Sequence, residues 1–202
     1  ENSLYITIGD GVGAGIVGNG EIYRGHSGGA GEFGHTSIDR GGIPCECGNV
    51  GCLENYVSWP AIYSRILSHI TKGNDTKIYE LADHDFSQIT PLVVLEALFT
   101  RDPFTVSLME QTASYLASGL VNLIHLFNPD VIILGGEIVS GNDVLLSKVK
   151  EDITRFGLKN LVEDLEIRTT TLGEDFEMVG TAAVLLQEFF GFSLTESKSF
   201  YV

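Results

Sequence analysis

Cys45, Cys47 and Cys52 fall within eight residues, and His35 stands ten positions before the first of them. Three thiolates and one imidazole are the ligand set of a tetrahedral structural zinc site. So soft a set favours zinc over magnesium or calcium. Gly48 and Gly51 allow the backbone to close tightly round an ion. Two rival readings exist. The cysteines could be small buried hydrophobes with His35 unrelated to them, but Pro44-Cys45-Glu46-Cys47-Gly48 is turn sequence rather than core sequence. A disulfide would leave one cysteine over. The spacing predicts one structural zinc held by His35, Cys45, Cys47 and Cys52.

Glu32, His35 and Glu54 surround that cluster in sequence, in GEFGHTSID and CECGNVGCLE. These two stretches resemble the zinc signature of the ROK family, which contains bacterial sugar kinases and sugar-responsive transcriptional repressors. The resemblance runs from about Leu4 to Phe190 and matches the C-terminal half of such proteins. It implies that Glu32, His35 and Glu54 contact a sugar. The chemistry suits the role, because ionised carboxylates are strong acceptors for adjacent hydroxyls. A histidine that ligates metal through one nitrogen also offers the other.

The resemblance further implies two nucleotide-side loops. Gly11 and Gly13, in GDGVGAG, correspond to the second phosphate loop of the actin-like ATPase fold, and Gly135-Gly136 to its adenosine-side loop. On sequence alone these glycines equally well shape a turn and end a strand. Kinase relatives carry a hydroxyl residue where Asp10 stands, and a carboxylate facing a triphosphate costs Coulomb energy unless a metal intervenes. The family's kinases take the sugar's proton with an aspartate placed just upstream of the strand that opens this chain. Asp10, Asp39 and Asp130 sit in other motifs, so no catalytic residue is assigned.

The elements that must position these residues are readable in outline. Leu4-Tyr5-Ile6-Thr7-Ile8 is a β-branched strand, and Asn19-Gly20 marks a hairpin between two more. Residues 58–71 form a helix with Ser58 as cap and Ile62, Ile66 and Ile70 on one face. Residues 72–88 read as a polar surface connection, and residues 89–98 as a helix of uncertain start at Pro91. A long buried helix runs from Phe104 and stops at Asn128-Pro129-Asp130. Val131-Ile132-Ile133-Leu134 is a buried strand. A helix over 143–156 closed by Gly157, a strand over 165–171 and an apolar helix over 178–190 complete the chain. His26, His69, His84 and His125 carry no motif and read as structural.

The resulting fold class is α/β with a βββαβα core and an inserted zinc region at about 31–58. It matches one half of the ribonuclease H-like, actin-type fold that the resemblance implies. The 202 residues suit one domain, and 44% apolar with 19% charged residues describe an ordinary globular chain. Without an initiator Met, and opening directly on a strand, the chain reads as a piece of a longer protein whose upstream domains are absent. A net charge of −15 makes it a poor nucleic-acid binder. No apolar run reaches the roughly 18–20 residues of a membrane span, and reduced cysteines fit the cytoplasm.

The first reading is the sugar-binding, oligomerising domain of a ROK-type repressor, a dimer or tetramer that reaches DNA only through another domain. The second is the C-terminal half of a glucokinase-like sugar kinase that phosphorylates a hexose with ATP. A third is a zinc-stapled interaction module that binds no sugar.

Overall fold

A computed structural model describes residues 2–172, 178–182, 184 and 185. Strand β1 (Ser3–Ile8) pairs antiparallel with β2 (Val12–Gly18), which pairs antiparallel with β3 (Glu21–Ile22). On its other side β1 pairs parallel with β4 (Val131–Gly135), and β4 with β5 (Glu166–Thr169). The mixed sheet therefore runs β3-β2-β1-β4-β5. Leu4, Ile6 and Ile8 are buried while Ser3, Tyr5 and Thr7 are half-buried, so β1 turns one face wholly into the core. Asn19 and Gly20 have φ of 53° and 82°. That pair of positive angles makes the primed turn matching the twist of its strands.

Seven helices are bounded among the described residues: α1 (Glu54–Val57), α2 (Trp59–Thr71), α3 (Lys77–Leu81), α4 (Pro91–Phe99), α5 (Pro103–Phe127), α6 (Asp143–Phe156) and α7 (Lys159–Val162). The spine is α5. Leu108, Thr112, Leu116, Leu120 and Ile124 recur at four-residue intervals and are all buried, the stripe of a core-facing helix. Asp102 caps it by accepting from the Thr105 N–H, and Asn128 ends it in the left-handed region at φ 43°. Thr90 caps α4 through the Val93 N–H, with Pro91 in the first turn, which settles where that helix starts.

Several local expectations are corrected. Ser58 occupies the cap position of α2, but its side chain makes no capping hydrogen bond. Residues 72–88 are not merely polar connection: α3 lies there, with Ile78 buried and Thr76 as its cap. Gly157 is extended at φ −75°, so α6 ends without a left-handed glycine. The last strand is shorter than 165–171, and the short helices α1 and α7 had no signal, since four residues show no periodicity. The described part of 178–185 is helical. The rest of the expected 178–190 helix lies outside the described residues.

Candidate metal centre and adjoining cleft

The centre is built by a loop that doubles back on itself. The Ile38 N–H donates to Gly51 O (2.9 Å), Gly51 N–H to Ile43 O (2.8 Å) and Leu53 N–H to Thr36 O (3.0 Å). Cys52 is thereby drawn against His35, and its Sγ lies 3.4 Å from the His35 carbonyl. Gly51 is required at the crossing: at φ 70° an added Cβ would sit 1.7 Å from Asp39 O. A turn from Cys45 to Gly48 (3.0 Å) presents Cys45 and Cys47 from the opposite side. Tyr56 braces this loop by accepting the Ile43 N–H at its Oη (3.1 Å), a role no sequence signal marks. Phe33, Leu53 and Val57 anchor the region in the core.

All four expected ligand atoms lie within 4.8 Å of one another. His35 Nδ1 is 3.7 Å from Cys45 Sγ, and Cys47 Sγ is 3.6 Å from Cys52 Sγ. A tetrahedron with metal–sulfur bonds of about 2.3 Å has edges of about 3.8 Å. The donor set therefore fits a tetrahedral thiophilic cation in both type and spacing. The three cysteines are free thiols. In the metal-free chain burial pushes the Cys52 thiol up to about 12, so loading a cation there displaces a proton. The Asn49 backbone amide, together with Cys45, lowers the Cys47 thiol, and the hydrogen bond with Cys45 raises His35.

Glu54 opens α1 and is half-buried. Its Oε2 accepts the Val12 N–H at 2.9 Å and packs against Gly11 and Gly34. Glu32 is exposed one residue before the short 3-10 turn Phe33–His35. Glu54 reaches Gly34, the residue before His35, and Glu32 precedes the turn that carries His35; the charges of both carboxylates raise His35 further.

A cleft of about 650 Å³ opens where β1 and β4 end, lined among others by Asp10, Gly11, Trp59, Gly136 and Glu137. Parallel strand ends are where open α/β sheets form clefts. Of the four glycines expected at nucleotide loops, Gly11 and Gly136 meet here. Gly13 instead lies within β2 opposite Thr7, and Gly135 ends β4 beside the Tyr5 ring. Trp59 was not marked by the sequence; its N–H donates to Gly9 O (2.7 Å) and brings α2 up to the cleft. None of the described residues lining it is Lys, Arg or His.

The ROK family model matches residues 1–188. A glucokinase of Halalkalibacterium halodurans is 35% identical over 190 residues, 93% of this chain and 57% of its own length. Among solved structures, a ROK family glucokinase from Streptomyces griseus in complex with glucose and AMPPNP aligns at TM-score 0.80 and 29% identity, covering 91% of this chain and 60% of that one. A ROK family transcriptional regulator, described as a homologue of the E. coli Mlc protein, aligns at TM-score 0.76 and 34% identity, covering 83% of this chain and 41% of that one. The chain thus spans little more than half the length of the glucokinase it matches. The family match reaches from β1 past β5, and both a kinase and a regulator share the fold: this chain belongs to the ROK family.

Proposed function

We propose that the chain is the effector-binding and assembly domain of a ROK-type transcriptional repressor, with zinc as its structural ion and a sugar as its effector. The observation that carries this reading is the double neighbourhood of His35. Its Nδ1 faces Cys45 Sγ, while Glu54 and Glu32 act on the same ring. An imidazole held through Nδ1 keeps Nε2 for an outside hydroxyl, and the flanking carboxylates suit the paired hydroxyls of a polyol. Zinc, when bound, fixes the ring and closes the loop. Glu54, clasped to Val12, brings a pre-oriented acceptor, whereas exposed Glu32 is free to close on a ligand.

Repressor is favoured over kinase by the cleft. Asp10 and Glu137 line it with no cationic side chain among its described lining residues, which repels a triphosphate that arrives without a metal. The second reading, half of a sugar kinase that phosphorylates a hexose with ATP, draws support from the two glucokinase relatives. DNA contact would fall to another part of the protein, given the charge of −15. Assembly as a dimer or tetramer is supported by exposed Leu126, Phe127, Phe156 and Leu158. The Leu158 N–H donates to His125 Nε2 (3.1 Å), which sets the α5 and α6 ends side by side.

Calorimetry with glucose and xylose tests the site. Glu32→Ala should abolish binding with zinc retained, whereas His35→Ala should lose both. Unchanged affinity in Glu32→Ala overturns the site, and ATP-dependent turnover in a coupled assay favours the kinase. A monomer at tens of micromolar by sedimentation, about the range of weak association, overturns the assembly.

A further inference from the structure

The groove between α2 and α5 runs against the charge of the molecule. It encloses about 290 Å³, and Arg65, His69 and Lys72 line it together with Ser68, Ser107 and Gln111. Among the described residues no Asp or Glu lines it, in a chain with 27 acidic and 12 basic residues. Arg65 is half-buried, and neutral groups hold it in place. Its Nη2 donates to Tyr56 O and Thr112 Oγ1 (2.8 Å each), its Nη1 to Gln111 Oε1 (3.1 Å) and its Nε to Ala61 O (3.4 Å). These acceptors fix the guanidinium without neutralising it, and one Nη1 hydrogen is left over. Among the described residues, no carboxylate lies within the 4.0 Å of an ion pair from Arg65 or Lys72, although Lys77, Lys148 and Arg168 all have such partners.

Complementing the α2 C-terminus would account for His69 and Lys72, which stand in its last turn and just after it. It does not account for Arg65, in the middle of the helix. Desolvating a cation beside no counter-charge is costly, and the groove walls supply what an anion needs. Arg65 and Lys72 bring charge; Ser68 and Ser107 bring hydroxyl donors; Gln111 brings an amide. The His69 ring is stacked on Phe104 at 3.6 Å between centroids and donates to Asp75 O (3.3 Å), which makes a rigid wall. At the small end of ligand cavities, the groove has room for a compact ligand only.

We propose that the α2–α5 groove is a second binding site, separate from the sugar site, that takes a phosphate group, either as orthophosphate or as the monoester of a small molecule. Two positive charges, that of Arg65 held in place and that of Lys72 exposed, with two hydroxyl donors match a tetrahedral dianion better than a planar monoanion such as acetate. Tyr56 O ties the groove to the metal region, because Arg65 holds the residue that also braces Ile43.

The experiment is calorimetry on the full zinc-loaded chain at pH 7.5, with orthophosphate, glycerol 3-phosphate, acetate and glycerol at matched ionic strength. Orthophosphate or glycerol 3-phosphate should bind saturably below about 1 mM, and which of them binds tighter identifies the source. Acetate should bind at least tenfold more weakly, and glycerol not at all. Arg65→Lys should weaken phosphate at least tenfold, but Arg65 also joins α2 to α5, so that variant can fail by misfolding. Lys72→Gln, at an exposed position, keeps the test open: it should weaken phosphate about fivefold with an unchanged circular dichroism spectrum. Phosphate should also shift the His69 ring resonances. No saturation by about 10 mM, equal binding of acetate, or phosphate binding that neither Lys72→Gln nor His69 registers overturns the proposal.

Discussion

The exposed loop within residues 31–58 and helix α5 are held in different ways. Between Arg40 and Val50 only Gly42 and Cys45 are not exposed, so that loop keeps its shape through turns and two isolated bridges, to which the proposed zinc would add four ligand atoms. Along α5, twelve residues are buried, and many small contacts share the stability among them. With the proposed metal bound, the loop would rest on a few strong bonds whose loss is abrupt, whereas α5 rests on many weak contacts whose loss is graded.

Removing the metal should give the largest contrast. Structural zinc sites bind with on the order of 10 kcal/mol or more. Chelation, or Cys47→Ser, should therefore strip hydrogen-exchange protection from Ile38, Gly51 and Leu53 by at least about 100-fold while Leu120 and Ile124 keep theirs. If both sets fall together, the two regions are one cooperative unit and the contrast fails. The converse perturbation is Leu120→Ala, at a fully buried position. Deleting that side chain should cost about 3 kcal/mol, which calorimetric melting would record as a drop of roughly 6–12 °C, with zinc content by metal analysis unchanged.

Asp102 gives a pH-dependent effect inside the helical half. It accepts from Thr76 Oγ1, Thr105 N–H and Oγ1, and Lys77 N–H. Burial opposes its charge, but the Thr105, Thr76 and Lys77 hydrogen bonds outweigh burial and hold its carboxyl below the usual value. Such a group stabilises above its unfolded pKa and loses that contribution as pH falls through the folded one. Asp102→Ala should then cost about 2 kcal/mol at pH 7. The gap to wild type in urea titrations should close below about pH 4; a gap constant down to pH 3 would show that the charge is irrelevant. The smallest effect lies at the seam. An added methyl at Gly119 of α5 would stand 2.8 Å from both Leu53 and Phe33. Alanine there gains helix propensity but overpacks the seam, for a net loss of about 1 kcal/mol by thermal melting. A stabilised Gly119→Ala would mean that the two regions touch only loosely.

The metal cluster was legible because thiolate and imidazole chemistry depends on residue type, which a sequence states outright. The strands were legible through short apolar, β-branched runs and Asn19-Gly20, and α5 through its three-and-four periodicity. What escaped depended on approach in space. Nothing local in 72–88 reveals that Ile78 is buried, since its partners come from elsewhere in the chain. Gly13 and Gly135 were grouped with Gly11 and Gly136 by motif, but strand pairing turned them away from the cleft. His69 was read as structural; Arg65, His69 and Lys72 share one face of α2 at i, i+4 and i+7, but only the approach of α5 to that face makes a groove of it.

The sheet also fixes an order of events in time. The central strand waits for a neighbour far along the chain: Ser3 pairs with Val131, and Asn2 binds Asp130 across 128 residues. At roughly 5–20 residues per second a ribosome needs on the order of 10 s to cover that stretch. All four metal ligands and the β1–β3 meander are complete by residue 52. The loop that would hold the proposed zinc can therefore close on the nascent chain while Leu4, Ile6 and Ile8 still lack the layer that will cover them, an interval in which the young chain is prone to clump. Pulsed hydrogen exchange during refolding reads this order directly. Protection at Ile38 and Leu53 should precede protection at Ile132, and the reverse sequence would place sheet closure first.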